Sequence, residues 1–449
     1  MRMSLDEVAD QMDAQRVGDD VVFSSVSTDT RSISSGDLFV ALQGENFDGH
    51  DYLQQAQDAG AVAAMVSRQL KIMLPMLKVQ DTRLGLGQLS SLWRGRFSVP
   101  CIAVTGSNGK TTVKEMLSAI MSQTGDVLAT IGNLNNDIGV PLTLLRLQDH
   151  HRSAVVEMGA NHAGEIQYLS GLARPDVAII TNAGPAHLEG FGSIEGVAHA
   201  KGEIFTGLNM NGTAIINQDD SYAPLWRELA ANRRIISFAI EQQADVMASW
   251  QQYDDHLLMQ LRTPVGDGEV KLQLLGRHNV MNALAATAAA IAAGIDIPGI
   301  VSGLESMKAV DGRLQVSDGL AGMRILNDTY NANPASLEAA LDVMSDMTGE
   351  KWLALGDMGE LGEGAVEMHR QCGELAREKG ITRLYAVGPL ARYAVESFAG
   401  ESQWCESMSD LISLLKKDWV AEGVLLVKGS RLMHMEQLVG ALQSGGETK

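Results

Sequence analysis

The residues best suited to chemistry stand at 104–112, Val-Thr-Gly-Ser-Asn-Gly-Lys-Thr-Thr. An apolar run from Cys101 leads into a glycine-bearing turn. Lys-Thr-Thr then opens a stretch with apolar residues at Val113, Met116, Leu117, Ile120 and Met121, a spacing that predicts an amphipathic helix. Glycines let a backbone close around a phosphate. The N–H groups of Gly106, Ser107, Asn108, Gly109, Lys110, Thr111 and Thr112, with the dipole of the helix they open, would hold its charge. Lys110 is placed to reach the β- and γ-phosphates of ATP, and Thr111 to offer a hydroxyl to Mg2+. The order Gly-x-x-Gly-Lys-Thr is shorter than the general P-loop pattern, and the plainer alternative is a strand–helix turn with a chance lysine.

A phosphate loop says only that a nucleotide binds. Glu157 ends the apolar run Ser-Ala-Val-Val-Glu, where an acid either positions a metal or merely closes a strand. His187 and Glu189 follow another apolar run, and Lys201 stands further on in an apolar helical setting. A histidine in a loop is ordinarily structural, and an ammonium cannot ligate Mg2+ unless its nitrogen is chemically changed. His278, Asn279 and Asn282 open a helix, where the two amides either cap it or read a purine edge. Arg313 and then Asp328, Tyr330, Asn331 and Asn333 form polar, turn-rich segments that are either plain loops or a lid over the nucleotide.

These residues need a scaffold, and the periodicity implies an α/β chain of three domains. Residues 1–83 read as a small N-terminal α/β domain: a helix, short strands, a helix at Tyr52–Ala61 and a further strand. Residues 84–310 alternate strands and helices, as in a central P-loop ATPase domain with a parallel sheet and ligands at the carboxyl ends of its strands. Residues 311–449 repeat the pattern with new strands, as in a C-terminal Rossmann-like doubly wound domain. A formal charge of −20 argues against binding to nucleic acid or an anionic membrane. The alanine-rich stretch Asn282–Ile300, broken by Gly294 and Asp296, is too weak for membrane insertion, and the N-terminus has no signal-like apolar run. Cys101, Cys372 and Cys405 form no CxxC pair, which fits a reducing compartment. A cytoplasmic monomer is expected.

In order along essentially the whole chain, the motifs resemble those of the Mur ligase superfamily. Thr105–Thr112 is similar to its shortened P-loop, Gly132–Pro141 to its substrate loop, and Glu157–Ile166 to its metal-acid segment. Asn182–Ser193 with Ala200–Phe205 resembles the His-and-Lys segment, Gly276–Ala286 the nucleotide-binding helix, and Ser27–Leu53 the uridine-diphosphate-binding domain. Within the family, Asn327–Ser336, Leu355–Glu363 and Val427–Arg431 resemble the branch that adds D-alanyl-D-alanine to UDP-N-acetylmuramoyl-tripeptide. The resemblance implies an ATP-dependent, Mg2+-requiring amide ligase with those two substrates. It implies that Thr111 and Glu157 bind one Mg2+, and that His187 and Lys201, the latter as a carbamate, bind a second. Asn282, Arg313 and Asp328 would hold adenine, phosphate and ribose. Thr30, Glu45, Asn46 and Phe47 would lie at the uridine, Lys428 and Arg431 near the dipeptide, and Asn135, Asn136, Tyr330, Asn331 and Asn333 on substrate. A small-molecule kinase or a nucleotide switch would share the P-loop, but neither needs an amine acceptor.

Overall fold

The computed structural model describes residues 1–185, 188–253, 255–307, 311–419 and 422–443. Its framework is three sheets whose inner strands are apolar runs buried on both faces. The middle sheet is wholly parallel, in the order Arg234–Phe238, Thr213–Asn217, Val177–Ile180, Cys101–Thr105, Ser153–Glu157, Val127–Ala129. Cys101–Thr105 lies inside the sheet, between Val177–Ile180 and Ser153–Glu157. The carboxyl ends of these three neighbours therefore carry the phosphate loop, Thr181–Asn182 and Glu157 side by side.

One face of this sheet packs on helices Lys110–Met121, Arg277–Ala292 and Ile297–Ser306. The last crosses closely: a Cβ at Gly303 would lie 2.4 Å from the Ile120 Cα. The expected break in the alanine-rich stretch occurs between the latter two helices, where Gly294 takes φ +85° and Asp296 caps Gly299 N–H at 3.0 Å. The same face also carries an antiparallel sheet of Met247–Gln252, Leu257–Thr263 and Gly266–Leu272. Its alternating burial at Leu257, Met259 and Leu261 is a period-two pattern that the strand–helix reading passed over.

On the opposite face, helix Thr82–Arg94 is the wall shared with the N-terminal domain. Asp81 caps it, Trp93 donates to Leu147 O at 3.0 Å, and its apolar residues join the cores of both domains. The N-terminal sheet runs Gln15–Val17, Met76–Lys78, Ala63–Val66, Asp37–Val40, Ser25–Ser27, with only the first strand antiparallel. The C-terminal sheet runs Gln315–Asp318, Arg324–Asp328, Gly423–Lys428, Glu350–Gly356, Arg383–Val387, Glu401–Cys405, with helices packed on both faces. Only Gln315–Asp318 is antiparallel there. Among the described residues no helix is long and apolar enough to cross a membrane.

Candidate active site

The phosphate loop leaves its strand at Thr105 and turns on two glycines in left-handed backbone, Gly106 at φ +148° and Gly109 at φ +81°. A Cβ at Gly106 would stand 1.9 Å from Thr181 Oγ1, and one at Gly109 2.3 Å from Asn282 Oδ1, so neither position has room for a side chain. Behind the loop, Asn182 braces the backbone: its Oδ1 accepts from Asn108 N–H at 2.9 Å and its carbonyl from Ser107 N–H at 3.0 Å. The Thr181 hydroxyl donates to Asn108 O at 2.6 Å, and the Ser107 hydroxyl accepts from Gly184 N–H at 2.9 Å. The sequence places Asn182 and Gly184 in the segment similar to the family's His-and-Lys motif, but their bracing of the loop depends on strand order and is not legible there. Lys110 opens the helix and folds back on its own loop, donating to Gly106 O at 2.7 Å and Ser107 O at 3.2 Å. Burial pushes the pKa of its ammonium down. Glu157 works against that push and Arg313 adds to it.

Glu157 is 2% exposed at the end of its strand. Its Oε1 accepts from Asn135 Nδ2 at 2.8 Å, while its Oε2 is buried without a hydrogen-bond partner among the described residues. An orphaned carboxylate oxygen whose charge acts on Lys110 is a hard donor that suits Mg2+. Lys201 is 1% exposed near the end of helix Ile194–Gly202, its ammonium 5.5 Å above the Phe191 ring. Burial, reinforced by Lys110 and opposed by Glu165 and Glu203, lowers its pKa to about 7. His187 lies outside the described residues, as does the side chain of Glu189.

Two side-chain hydrogen bonds join the C-terminal domain to this loop. Arg313 Nη2 donates to Thr111 Oγ1 at 3.0 Å, with its guanidinium 4.2 Å from the centre of the Tyr330 ring. Asn333 caps helix Pro334–Ser345 with its carbonyl oxygen and sends its amide to Asn108 Oδ1 at 3.0 Å. Strand register sets Asp328 opposite Lys428, and the two form a buried ion pair. Lys428 also donates to Asn331 O at 3.0 Å, while Asp328 accepts from Leu314 N–H at 3.2 Å. Lys428 is thus committed within its own domain, whereas Arg431 is exposed, 6.0 Å from the Tyr330 ring.

The remaining expected residues divide between this cleft and the N-terminal domain. Asn282 is buried against Gly109 and donates to Asn279 Oδ1 at 3.1 Å. The Asn136 side-chain oxygen accepts from Gly139 N–H at 2.9 Å, where the short helix Gly139–Leu144 begins. Glu45, Asn46 and Phe47 form the exposed tip of a turn closed by the Gln43–Asp48 bridge, with the Phe47 ring covering Gly44. Asp48 anchors the base of that turn, accepting from His50 Nδ1 at 2.6 Å, Arg68 at 2.8 Å and Gln43 at 3.0 Å. Thr30 is half-buried in the loop after Ser25–Ser27. The Thr82 hydroxyl donates to Ala41 O at 2.9 Å, tying this region to the shared helix.

A braced phosphate loop, an orphaned carboxylate beside it and a second domain reaching onto it define an ATP-using enzyme whose cleft lies between domains. Residues 104–290 match the Mur ligase middle domain, 312–431 the Mur ligase glutamate ligase domain, and 22–94 the Mur ligase family catalytic domain. The chain belongs to the Mur ligase family. It is 44% identical over 448 residues to the UDP-N-acetylmuramoyl-tripeptide–D-alanyl-D-alanine ligase of Escherichia coli strain K12, covering 99% of each chain. A crystal structure of MurF from Acinetobacter baumannii superposes with a TM-score of 0.93 at 38% identity, covering 98% of both chains. MurF ligase from Thermotoga maritima in complex with ADP superposes with a TM-score of 0.83 at 28% identity, over 93% of this chain and 96% of that one.

Proposed function

We propose that this protein joins D-alanyl-D-alanine to the terminal carboxylate of UDP-N-acetylmuramoyl-tripeptide, converting ATP to ADP and phosphate, in peptidoglycan precursor synthesis. The end-to-end likeness to enzymes of that name supports the substrates. The observation that carries the chemistry is Glu157 Oε2, buried and without a partner among the described residues, beside a loop braced for phosphate. A carboxylate is a poor acyl donor until one oxygen becomes a leaving group. The substrate carboxylate attacks the γ-phosphorus in line, the bond to ADP breaks, and an acyl phosphate forms. The dipeptide amine then attacks the acyl carbon, loses a proton, and phosphate leaves with the C–O bonding pair.

Lys110 and the loop amides from Gly106 to Thr112 hold the phosphates, and fixed dipoles of this kind supply most of the stabilisation in phosphoryl transfer. Thr111 and Glu157 would hold one Mg2+, and His187 with a carbamate on Lys201 a second; bound there, the cations neutralise charge on the transferring phosphoryl group. An amine whose pKa is lowered to about 7 is about half uncharged at neutral pH, and the uncharged form is the one that adds to CO2, which supports the carbamate. Arg313 serves the phosphates, Asp328 the ribose and Asn282 the adenine side. Tyr330, Asn331, Asn333, Lys428 and Arg431 shape the dipeptide end, with Lys428 acting through Asp328 and Asn331. Thr30, Glu45, Asn46 and Phe47 receive the uridine, and Asn136 supports the muramoyl-peptide path. Cross-domain bonds from Arg313 and Asn333 suit a cleft that excludes water while the acyl phosphate survives. The enzyme acts as a cytoplasmic monomer in this reading.

The test is phosphate release from ATP in the presence of the UDP-muramoyl tripeptide, with and without D-alanyl-D-alanine. Sustained turnover is expected only with the dipeptide. Equal turnover without it would sink the ligase reading.

A further inference from the structure

Glu157 is held by residues whose own fixation is unusually complete. Its Oε1 accepts from Asn135 Nδ2 at 2.8 Å, and its backbone N–H donates to the Thr130 hydroxyl at 3.0 Å. Thr130 is fixed in turn, because its carbonyl accepts from the Lys114 ammonium at 3.0 Å. Lys114 is a buried cation one turn beyond Lys110 on the phosphate-loop helix, so helix and strand end are tied through one residue. Asn135 is held by its main chain, whose carbonyl accepts from Gly159 N–H at 2.8 Å. A Cβ at Gly159 would lie 2.9 Å from Asn135 Oδ1, so the amide packs directly on the backbone that follows Glu157.

The two carboxylate oxygens are therefore inequivalent. Oε1 is spent on an amide, and Oε2 is buried with no donor among the described residues. Leaving a buried acceptor unmet is destabilising, and more so when it is charged, unless a cation completes it. Nothing in the carboxylate itself prevents rotation about its terminal torsion, which is soft and nearly two-fold. The only side chain in the described structure that donates to it is Asn135.

We infer that Asn135 is a positioning residue for the metal site: its amide fixes the Glu157 carboxylate so that Oε2 alone faces the divalent cation, while Thr130 and Lys114 fix the main chain beneath. This rests on the metal role given to Glu157 above, and it moves Asn135 from a substrate contact to a support of the ligand. Hydrogen-bonding partners of metal ligands typically govern about 10–100-fold in metal affinity.

The test is Mn2+ binding to the full-length, ADP-loaded enzyme, followed by electron paramagnetic resonance with Mg2+ as competitor. Glu157→Gln should weaken Mn2+ strongly, and wild-type affinity in that variant would remove the underlying metal role. Asn135→Ala should raise the Mn2+ Kd about 10–100-fold while ADP affinity in EDTA and the KM for the muramoyl tripeptide stay at wild-type values. Wild-type Mn2+ affinity in Asn135→Ala, with Glu157→Gln impaired, would overturn the inference and leave the ligase reading standing. So would a raised KM for the muramoyl tripeptide as the sole change. Thr130→Val keeps the volume and drops the hydroxyl that accepts from Glu157 N–H. It should weaken Mn2+ in the same direction, and it decides the matter if Asn135→Ala does not fold: unchanged affinity there overturns the inference as well.

Discussion

The phosphate loop and the turn at Gln43–Asp48 are both glycine-bearing connections assigned to opposite ends of the substrates, yet they are built in opposite ways. Thr181, Asn182 and Gly184 hold the phosphate loop from behind, and Arg313 and Asn333 reach it from another domain. The Gln43–Asp48 turn is anchored at its base, through Asp48, His50 and Arg68, while Phe47 stands 54% exposed at its tip. Charge that develops during phosphoryl transfer needs donors already fixed and shielded from water. A uracil ring needs area and a flat partner, which an exposed aromatic side chain provides without a rigid cage.

That contrast breaks most easily at Lys110. Lys110→Met should lower kcat by about 10²–10³-fold, with little change in KM for the sugar nucleotide, as read from ADP formation. A main effect on that KM would mean the two ends are not separable. Lys201→Ala should cost about 100-fold in activity, as supporting groups of a metal site do at their upper end, and short carboxylic acids should restore part of it. A fully active alanine variant would refute the carbamate. Phe47→Ala should raise KM for the UDP substrate about 10-fold and leave kcat and Tm unaltered, since base stacking is worth about 1–3 kcal/mol and the ring is exposed. A fall in kcat instead would tie the turn to the chemistry.

The smallest effect concerns His278, at the seam of the central and C-terminal domains. Burial drives its imidazole from 6.5 to about 4, with Asp328 opposing and Lys428 assisting. The unfolded chain takes up a proton near pH 6.5, whereas the folded one does not until about pH 4. Stability from this group is therefore complete above pH 6.5 and is lost as pH falls from 6.5 towards 4. Between pH 7.5 and 5.5 the loss is about 1.4 kcal/mol, or about 2 °C in Tm, and His278→Gln should abolish that share of the decline. An unchanged decline would show that His278 is not the group responsible.

Much of this was readable along the chain because its causes are local. The glycines at 106 and 109, Lys110 and Thr111 on the first turn of a helix, and Glu157 at a strand end follow from neighbours in sequence and from the period of apolar residues. The same holds for the three-domain α/β plan and for the break at Gly294–Asp296. The antiparallel sheet at 247–272 escaped because its alternation is short and sits among helices.

What spacing alone could not supply was who faces whom. Asp328 meets Lys428 because two strands a hundred residues apart pair in that register, which leaves Lys428 buried with its ammonium on Asp328 and Asn331 O. Thr181 and Asn182 stand behind the phosphate loop because their strand lies next to its own in the sheet order. Arg313 reaches Thr111, and Asn135 reaches Glu157, only once domains and crossovers are packed. The sequence by itself determined the glycine turn and helix start at Gly106–Thr112, since both are written in adjacent residues. Tertiary structure decided which oxygen of Glu157 is left without a hydrogen-bond partner among the described residues, since that depends on a partner brought in by strand order and not by distance along the chain.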